Sequence, residues 1–380
     1  MKRLMIVCVL MALLAGCANE VTYYKRGFGY EKQGKYSKAV KAYKKSLKIN
    51  PNYAFSYYGM GSVYIKTKRW DEALDQLLKA NEVGIDDQDI HMLLGSVYES
   101  LGQNDLAAEE YGKAIKIRPD DVMTHMTLGR TLEKAGNTKG ALAEYNSAIA
   151  IAPDYHEAYF HSARMLFRLG DFRKAEETYR QALEFRKNYH QAQNNLTVLY
   201  LRTNQIMKAL ESAEKTLDMY SGYAPGIVNL GVVYEVMGNK SRAEEQYRKA
   251  ISMAKDYDMG HYRLAMLLLK DGILDEARRE LEIALQYNPN LAPAYNEIAV
   301  LEIEGGNYQN ALDLLKNAVL VDSTYSLAFY NMAGIYANLG KYDRAAKAYE
   351  NYLAQAVSPD DSLEVMNRVR VLKTIDARKR

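Results

Sequence analysis

The sequence predicts an all-α solenoid: ten helix hairpins in series, closed by one further helix. Three observations carry this. Stacked at a period of 34 from Glu20, the 380-residue chain gives ten copies without insertion or deletion, ending at Pro359. One column is alanine in every copy, from Ala39 and Ala73 through to Ala311 and Ala345. Between that column and a small-residue column twelve residues upstream lies a turn column rich in glycine, so each copy folds back on itself once.

Composition agrees with a folded chain. It is 48% hydrophobic and 26% charged, within the ordinary globular range. The fixed period overrides a length prior of two or three domains. Lys and Arg exceed Asp and Glu by 50 to 47, and a segment carrying Lys2 and Arg3 is expected to be removed, leaving 48 to 47. A chain this near neutrality lacks the electrostatic footprint that wrapping nucleic acid requires. No nucleic-acid partner is expected.

The chain opens on MKRLMIVCVLMALLAGC. A cationic start, an apolar run from Leu4 to Leu14 and the small pair Ala15-Gly16 follow in the order of a secretory signal. The run is short for a membrane-spanning helix. Leu14-Ala15-Gly16-Cys17 resembles the bacterial lipoprotein box. That resemblance implies that residues 1–16 are removed and that Cys17 becomes the first residue, carrying covalent acyl chains. An ordinary signal with an incidental Cys is the alternative. Several chains on one Cys make a stable anchor. With Cys8 removed and Cys17 acylated, no thiol is left for a disulfide. By resemblance to Gram-negative lipoproteins, Ala18 rather than Asp after the Cys implies the periplasmic face of the outer membrane. Residues 17–19 are then the lipidated end and its tether. Ala18 and Asn19 reach roughly 7 Å when extended, which places the first hairpin at the bilayer.

Residues 20–359 are the ten copies. The small column runs Gly27, Gly61, Gly95, Gly129, Ala163, Thr197, Gly231, Ala265, Ala299, Ala333, and a second alanine column lies seven residues after the invariant one. Small residues there leave room for a facing backbone. The turn column is Gly34, Gly102, Gly136, Gly170, Gly238, Gly272, Gly306 and Gly340, with Lys68 and Asn204 as departures. A left-handed residue ends the first helix at that point. Tyrosines fill the spaces between, among them Tyr43, Tyr111, Tyr145, Tyr179, Tyr247 and Tyr349 in the second helices. The 32 tyrosines are therefore mostly architecture. Pro225, Pro293 and Pro359 fall at helix starts, where no N–H is missed.

This pattern resembles the tetratricopeptide repeat, over residues 20–359. The resemblance implies a right-handed superhelix with first helices lining a concave groove and second helices outside. In that family partner segments are held by positions two, five, six, nine, twelve and thirteen of each copy.

Beyond the copies, Ser358-Pro359-Asp360-Asp361 reads as an N-cap, a first-turn Pro and two first-turn carboxylates. The helix over 360–380 is expected to set Leu363, Met366, Val369, Leu372 and Ile375 on one face and to cap the stack. A helix that binds a partner is the alternative.

The motifs carry no catalytic constellation. His156 and His161 are five residues apart, whereas the zinc-protease spacing is four. His91, His125 and His261 occupy a column that other copies fill with Tyr, and read as packing residues. Glu109-Glu110 and Glu176-Glu177 read as solvated faces of second helices, with Lys113 and Arg180 a turn away. No phosphate loop or dinucleotide fingerprint is complete. No enzyme activity, metal, cofactor or small-molecule substrate is expected, only the lipid on Cys17.

At the groove positions the N-terminal half presents Tyr24, Phe28, Phe55, Tyr58, Met92, Met126, Phe160 and Phe167. Such a stripe suits an apolar or amphipathic partner segment. Further on come Asn194, Asn195, Asn229, Arg263 and Asn331. Asn195 and Asn229 hold the position at which some superhelical relatives bind peptide backbone, since a carboxamide both donates and accepts. Packing between first helices is the alternative role for these residues. The expected function is a non-enzymatic scaffold that holds an envelope protein or peptide segment. Lipoproteins of similar architecture assist type IV pilus and secretin assembly. A part in exopolysaccharide export is a second reading, for which Glu31, Glu99, Glu133 and Glu235 at position twelve could face a glycan. An adaptor for cell-wall hydrolases is a third.

Overall fold

The computed structural model describes residues 19–355 and 359–379, without the side chains of 359–362 and 378–379. The signal segment, Cys17, Ala18 and the Ser358 cap lie outside the described residues. Twenty-one α-helices and no strand are found among the described residues. They fall into two compact units that divide between Lys187 and Asn188.

The first unit holds α1 (Glu20–Lys32) and α2 (Tyr36–Ile49), α3 (Ala54–Lys66) and α4 (Trp70–Glu82), and α5 (Gln88–Ser100) and α6 (Asn104–Ile117). It continues with α7 (Val122–Lys134) and α8 (Thr138–Ile151), then α9 (His156–Arg168) and α10 (Phe172–Phe185). The second unit holds α11 (His190–Arg202) and α12 (Ile206–Met219), α13 (Ala224–Val236) and α14 (Lys240–Met253), and α15 (Asp258–Lys270) and α16 (Leu274–Tyr287). It ends with α17 (Ala292–Glu304) and α18 (Tyr308–Val321), α19 (Ser326–Asn338) and α20 (Tyr342–Gln355), and α21 (Pro359–Lys379). Within each unit the helices pair as hairpins and each hairpin packs on the next, which is solenoid architecture.

The turn column behaves as its residues require. Every glycine in it has φ between 69° and 79°, and Lys68 and Asn204 sit at 57° and 56°. The next N–H returns to a carbonyl five residues back, as from Lys35 to Tyr30 at 2.9 Å and from Asn239 to Tyr234 at 2.8 Å. That bond closes the first helix and needs the left-handed residue before it.

The small column makes room, but for a ring rather than for backbone. A Cβ on Gly95 would stand 2.5 Å from the Tyr111 ring, one on Gly129 2.6 Å from Tyr145, and one on Gly231 2.5 Å from Tyr247. Those rings, with Tyr43 and Tyr179, are among the largest fully buried side chains. Thr197 replaces glycine in the hairpin whose facing residue is only Ala213, so the lost and gained volumes offset. The invariant alanines are fully buried throughout.

The last helix turns a different face inward from the one expected. Val365 and Leu372 are buried and Val369 packs beside them against Tyr349 and Tyr352, whereas Leu363 and Met366 are 68% and 53% exposed.

Candidate functional site

Two polar rungs join the first helices of neighbouring hairpins, each linking residues 35 apart. The rung at positions twelve and thirteen is ionic. Glu31 accepts from Lys66 at 2.6 Å, Glu99 from Lys134 at 3.0 Å, Glu133 from Arg168 at 3.1 Å, and Glu235 from Lys270. The other oxygen of each carboxylate accepts from a buried tyrosine twelve residues on. These bonds are Tyr43 to Glu31 at 2.7 Å, Tyr111 to Glu99 at 3.0 Å, Tyr145 to Glu133 at 3.2 Å and Tyr247 to Glu235 at 2.8 Å. Burial opposes ionisation of Glu31 and Glu235, but bonds from lysine and tyrosine hold both carboxyls below the usual glutamate range. Burial, with the facing carboxylate, pushes the Tyr43 and Tyr247 hydroxyls far up. These four glutamates therefore hold the scaffold together, which corrects the reading that they face a glycan.

The rung at positions five and six is made of carboxamides. Asn229 donates to Asn194 at 2.8 Å and Asn331 to Asn296 at 2.8 Å. Asn194 is only 7% exposed and lies beneath Asn229, so its assignment to a partner surface is corrected to a supporting role. Asn195, Asn229 and Asn331 are half-buried.

Between the two carboxamide rungs the pattern breaks. Arg263 and Glu297 hold position six in α15 and α17, and the residues 35 before Arg263 and Glu297 are Val228 and Tyr262. Neither can serve as a carboxamide. The Arg263 Nε is buried without a hydrogen-bond partner, and no ion pair engages Arg263 or Glu297 among the described residues. Burial raises the Glu297 carboxyl above the usual range, and a bond from Asn296 at 3.2 Å only partly opposes it. A cation and an anion thus stand on successive first helices with binding capacity unused.

In the first unit the face is aromatic. Tyr24 contacts Phe28, Tyr53 and Phe55 with ring centroids 5.7–6.5 Å apart. Phe28 and Phe55 are 46% and 53% exposed, and Lys32 lies over the Phe28 ring. Tyr58 is half-buried and packs into the core of the first hairpins. Met92 is half-buried beside Thr124. Met126 is 1% exposed within the core around Tyr145; its large flexible side chain fills the interior, so it is not a groove residue. Phe160 packs on His161 and Tyr179, and Phe167 on Phe172.

The histidine column is buried and fully bonded. His91, His125 and His261 each meet a glutamate nineteen residues on, Glu110, Glu144 and Glu280, at 2.6–2.7 Å. The other ring nitrogen meets Asp86, or the carbonyl of Pro119 or Lys255. Glu110 is therefore an 8%-exposed clasp between two helices, not the solvated residue expected. Burial and Arg164 push His161 down to about 4, leaving it neutral at pH 7. No three His, Cys, Asp or Glu side chains among the described residues are placed to hold a metal ion.

Models of the tetratricopeptide repeat match residues 21–53, 42–75, 92–156, 132–197, 228–292, 262–326 and 302–362. No curated protein matches the chain in sequence. Among solved structures, yeast Tom70 is 14% identical with a TM-score of 0.60, over 94% of this chain and 96% of that one. The APC/C heterotetramer Cut9–Hcn1 is 15% identical with a TM-score of 0.51, over 96% and 92%. The C-terminal part of a repeat-containing protein from Cytophaga hutchinsonii is 13% identical with a TM-score of 0.54, over 63% and 99%. At such identities the likeness is one of fold. With ten in-phase copies, hairpins closed by the same left-handed turn, and repeat models along most of its length, the chain belongs to the tetratricopeptide-repeat family.

Proposed function

We propose that this chain is a lipid-anchored interaction scaffold of the bacterial envelope, which grips a segment of a partner protein along its first helices. The observation that carries the reading is the Arg263–Glu297 break. Arg263 as a whole is half-buried, so part of its side chain stays reachable, and an incoming peptide carbonyl or carboxylate would pair a guanidinium that no carboxylate of the described residues engages. The raised Glu297 carboxyl suits a donor from the same segment. Asn229 and Asn331 flank the pair and retain an acceptor oxygen each. In the first unit the exposed Phe28 and Phe55 suit apolar side chains of a partner segment.

The address rests on the sequence: Cys17 carries the acyl chains, and the outer membrane is where its neighbour Ala18 directs them. Assembly of an envelope complex such as a pilus or secretin is the service that fits a scaffold held there. Purification of the intact tagged chain from membranes, followed by mass spectrometry, tests both parts. Arg263→Ala with Glu297→Gln should lose at least one co-purifying envelope protein while the melting midpoint moves by less than about 2 °C. Cys17→Ser should release the chain from the membrane fraction. An unchanged set of partners would refute the binding face, and an unchanged fraction would refute the anchor.

A further inference from the structure

The first hairpin is charged unlike the rest of the chain. Residues 20–50 hold nine Lys and Arg against two carboxylates, a net of +7, whereas residues 51–380 hold 39 against 45. All nine cations are exposed, and none makes an ion pair among the described residues. Glu31, one of the two acids, is buried and engaged by Lys66. Lys38, Lys41, Lys45 and Lys48 recur at three- and four-residue steps, which lines them along one side of α2.

The same hairpin departs from the others where a hairpin would bury apolar groups. Arg26 stands where the following copies bury Met60, Leu94 and Leu128, and Gly29 where they bury Val63, Val97 and Thr131. Arg26 with Tyr23, Tyr30, Lys38, Lys41 and Lys45 lines an open cleft of about 160 Å³. Lys38 lies over the Tyr30 ring and Lys45 over Tyr23. A face made polar only to meet water has no need of one sign; mixed charges would repel less.

We infer that this cationic face of α1 and α2 docks on anionic lipid headgroups and lays the first hairpin flat on the membrane. Charge complementarity and position both favour that occupant. Lysines near an anionic bilayer each add attraction that fades within a Debye length. Tyr23 and Tyr30 supply the amphipathic rings suited to the headgroup layer. Cys17 lies three residues before Glu20, where α1 begins, so an acyl anchor there would hold this face within reach. The contact rests on the anchoring reading only for its choice of surface.

The test is vesicle co-sedimentation of the chain from Asn19 onward, which contains every described helix and no acyl group. Vesicles of equal parts phosphatidylcholine and phosphatidylglycerol are compared with phosphatidylcholine alone. Binding should appear only with the anionic lipid and fall steeply with salt. The triple change Lys38→Glu, Lys41→Glu and Lys45→Glu should weaken it at least about tenfold. Glutamines at the same three sites should give a smaller loss. The matched triple Lys139→Glu, Lys208→Glu and Lys249→Glu should bind as the parent does. Equal binding to neutral vesicles, equal loss in both triples, or no loss in the first would overturn the inference. Displacement by millimolar inorganic phosphate would also overturn it, by revealing a discrete anion site. Because Cys17 is absent from this assay, a failure here leaves the lipid anchor and the Arg263–Glu297 face to their own tests.

Discussion

Tyr247 and Glu235 sit twelve residues apart on different helices, and neither can be altered without exposing the other to a cost. Tyr247→Phe removes one hydrogen bond and should lower stability by about 1 kcal/mol. Glu235→Leu leaves a fully buried hydroxyl without an acceptor and should cost about 1–3 kcal/mol. The pair Tyr247→Phe with Glu235→Leu removes both partners of the bond and leaves the ring in place. It should cost less than the two single changes together; additivity within about 0.5 kcal/mol in denaturant melts would contradict a direct coupling. The acid response follows from the same bond. Folding lowers the pKa of Glu235 and Glu31, so their contribution is complete above about pH 4.5 and is lost as pH falls through the lowered folded value. Glu235→Gln should flatten that part of the stability profile, and an unchanged acid limb would refute the assignment. These partnerships were present in the sequence as correlated columns: a glutamate at position twelve accompanies a tyrosine twelve residues on, and each histidine of the buried column accompanies a glutamate nineteen residues on. Reading columns singly left the glutamates looking like surface groups. Met126 and Asn194 were misplaced for a related reason, since position five is half-buried in some copies, as at Tyr58 and Met92, and buried in others, as at Val228 and Asn296.

At the scale of the helix, the turns were legible because backbone conformation is a local property. Ten positions requiring left-handed φ recur at one spacing, and eight of them are glycine. Lys68 is the costly exception. Lys68→Gly should stabilise the second hairpin by about 0.5–1 kcal/mol, the relief of a β-carbon in that region less the entropy glycine loses. A lower unfolding midpoint for that variant would contradict the strain argument. The terminal helix was legible in extent but not in face. Residues spaced by three drift about 60° per step around a helix, so Leu363 and Leu372 end on opposite sides although each step looks periodic. Val365, Val369 and Leu372 follow steps of four and three and stay on one side, which is the side that packs.

Across the molecule, stability should be close to a sum over hairpins and their nearest neighbours, while function belongs to the places where the repeating chemistry is interrupted. The ionic and carboxamide rungs use up polar capacity at most levels of the stack. At Arg263 and Glu297 no carboxamide rung forms and the Arg263 Nε is one of the buried polar atoms left without a partner, and the first hairpin is where charge of one sign accumulates. A period of 34 made the architecture plain in the sequence, but not which groove positions remain available, because that depends on partners 12, 19 or 35 residues away. The most direct measurement is photo-crosslinking in the native cell, with the probe placed at Glu297, at Phe55 and, on a second helix, at Lys174. A discrete protein adduct is expected from Glu297 or Phe55 and none from Lys174. Adducts from Lys174 alone, or from none of the three, would contradict the claim that the first helices are the working surface.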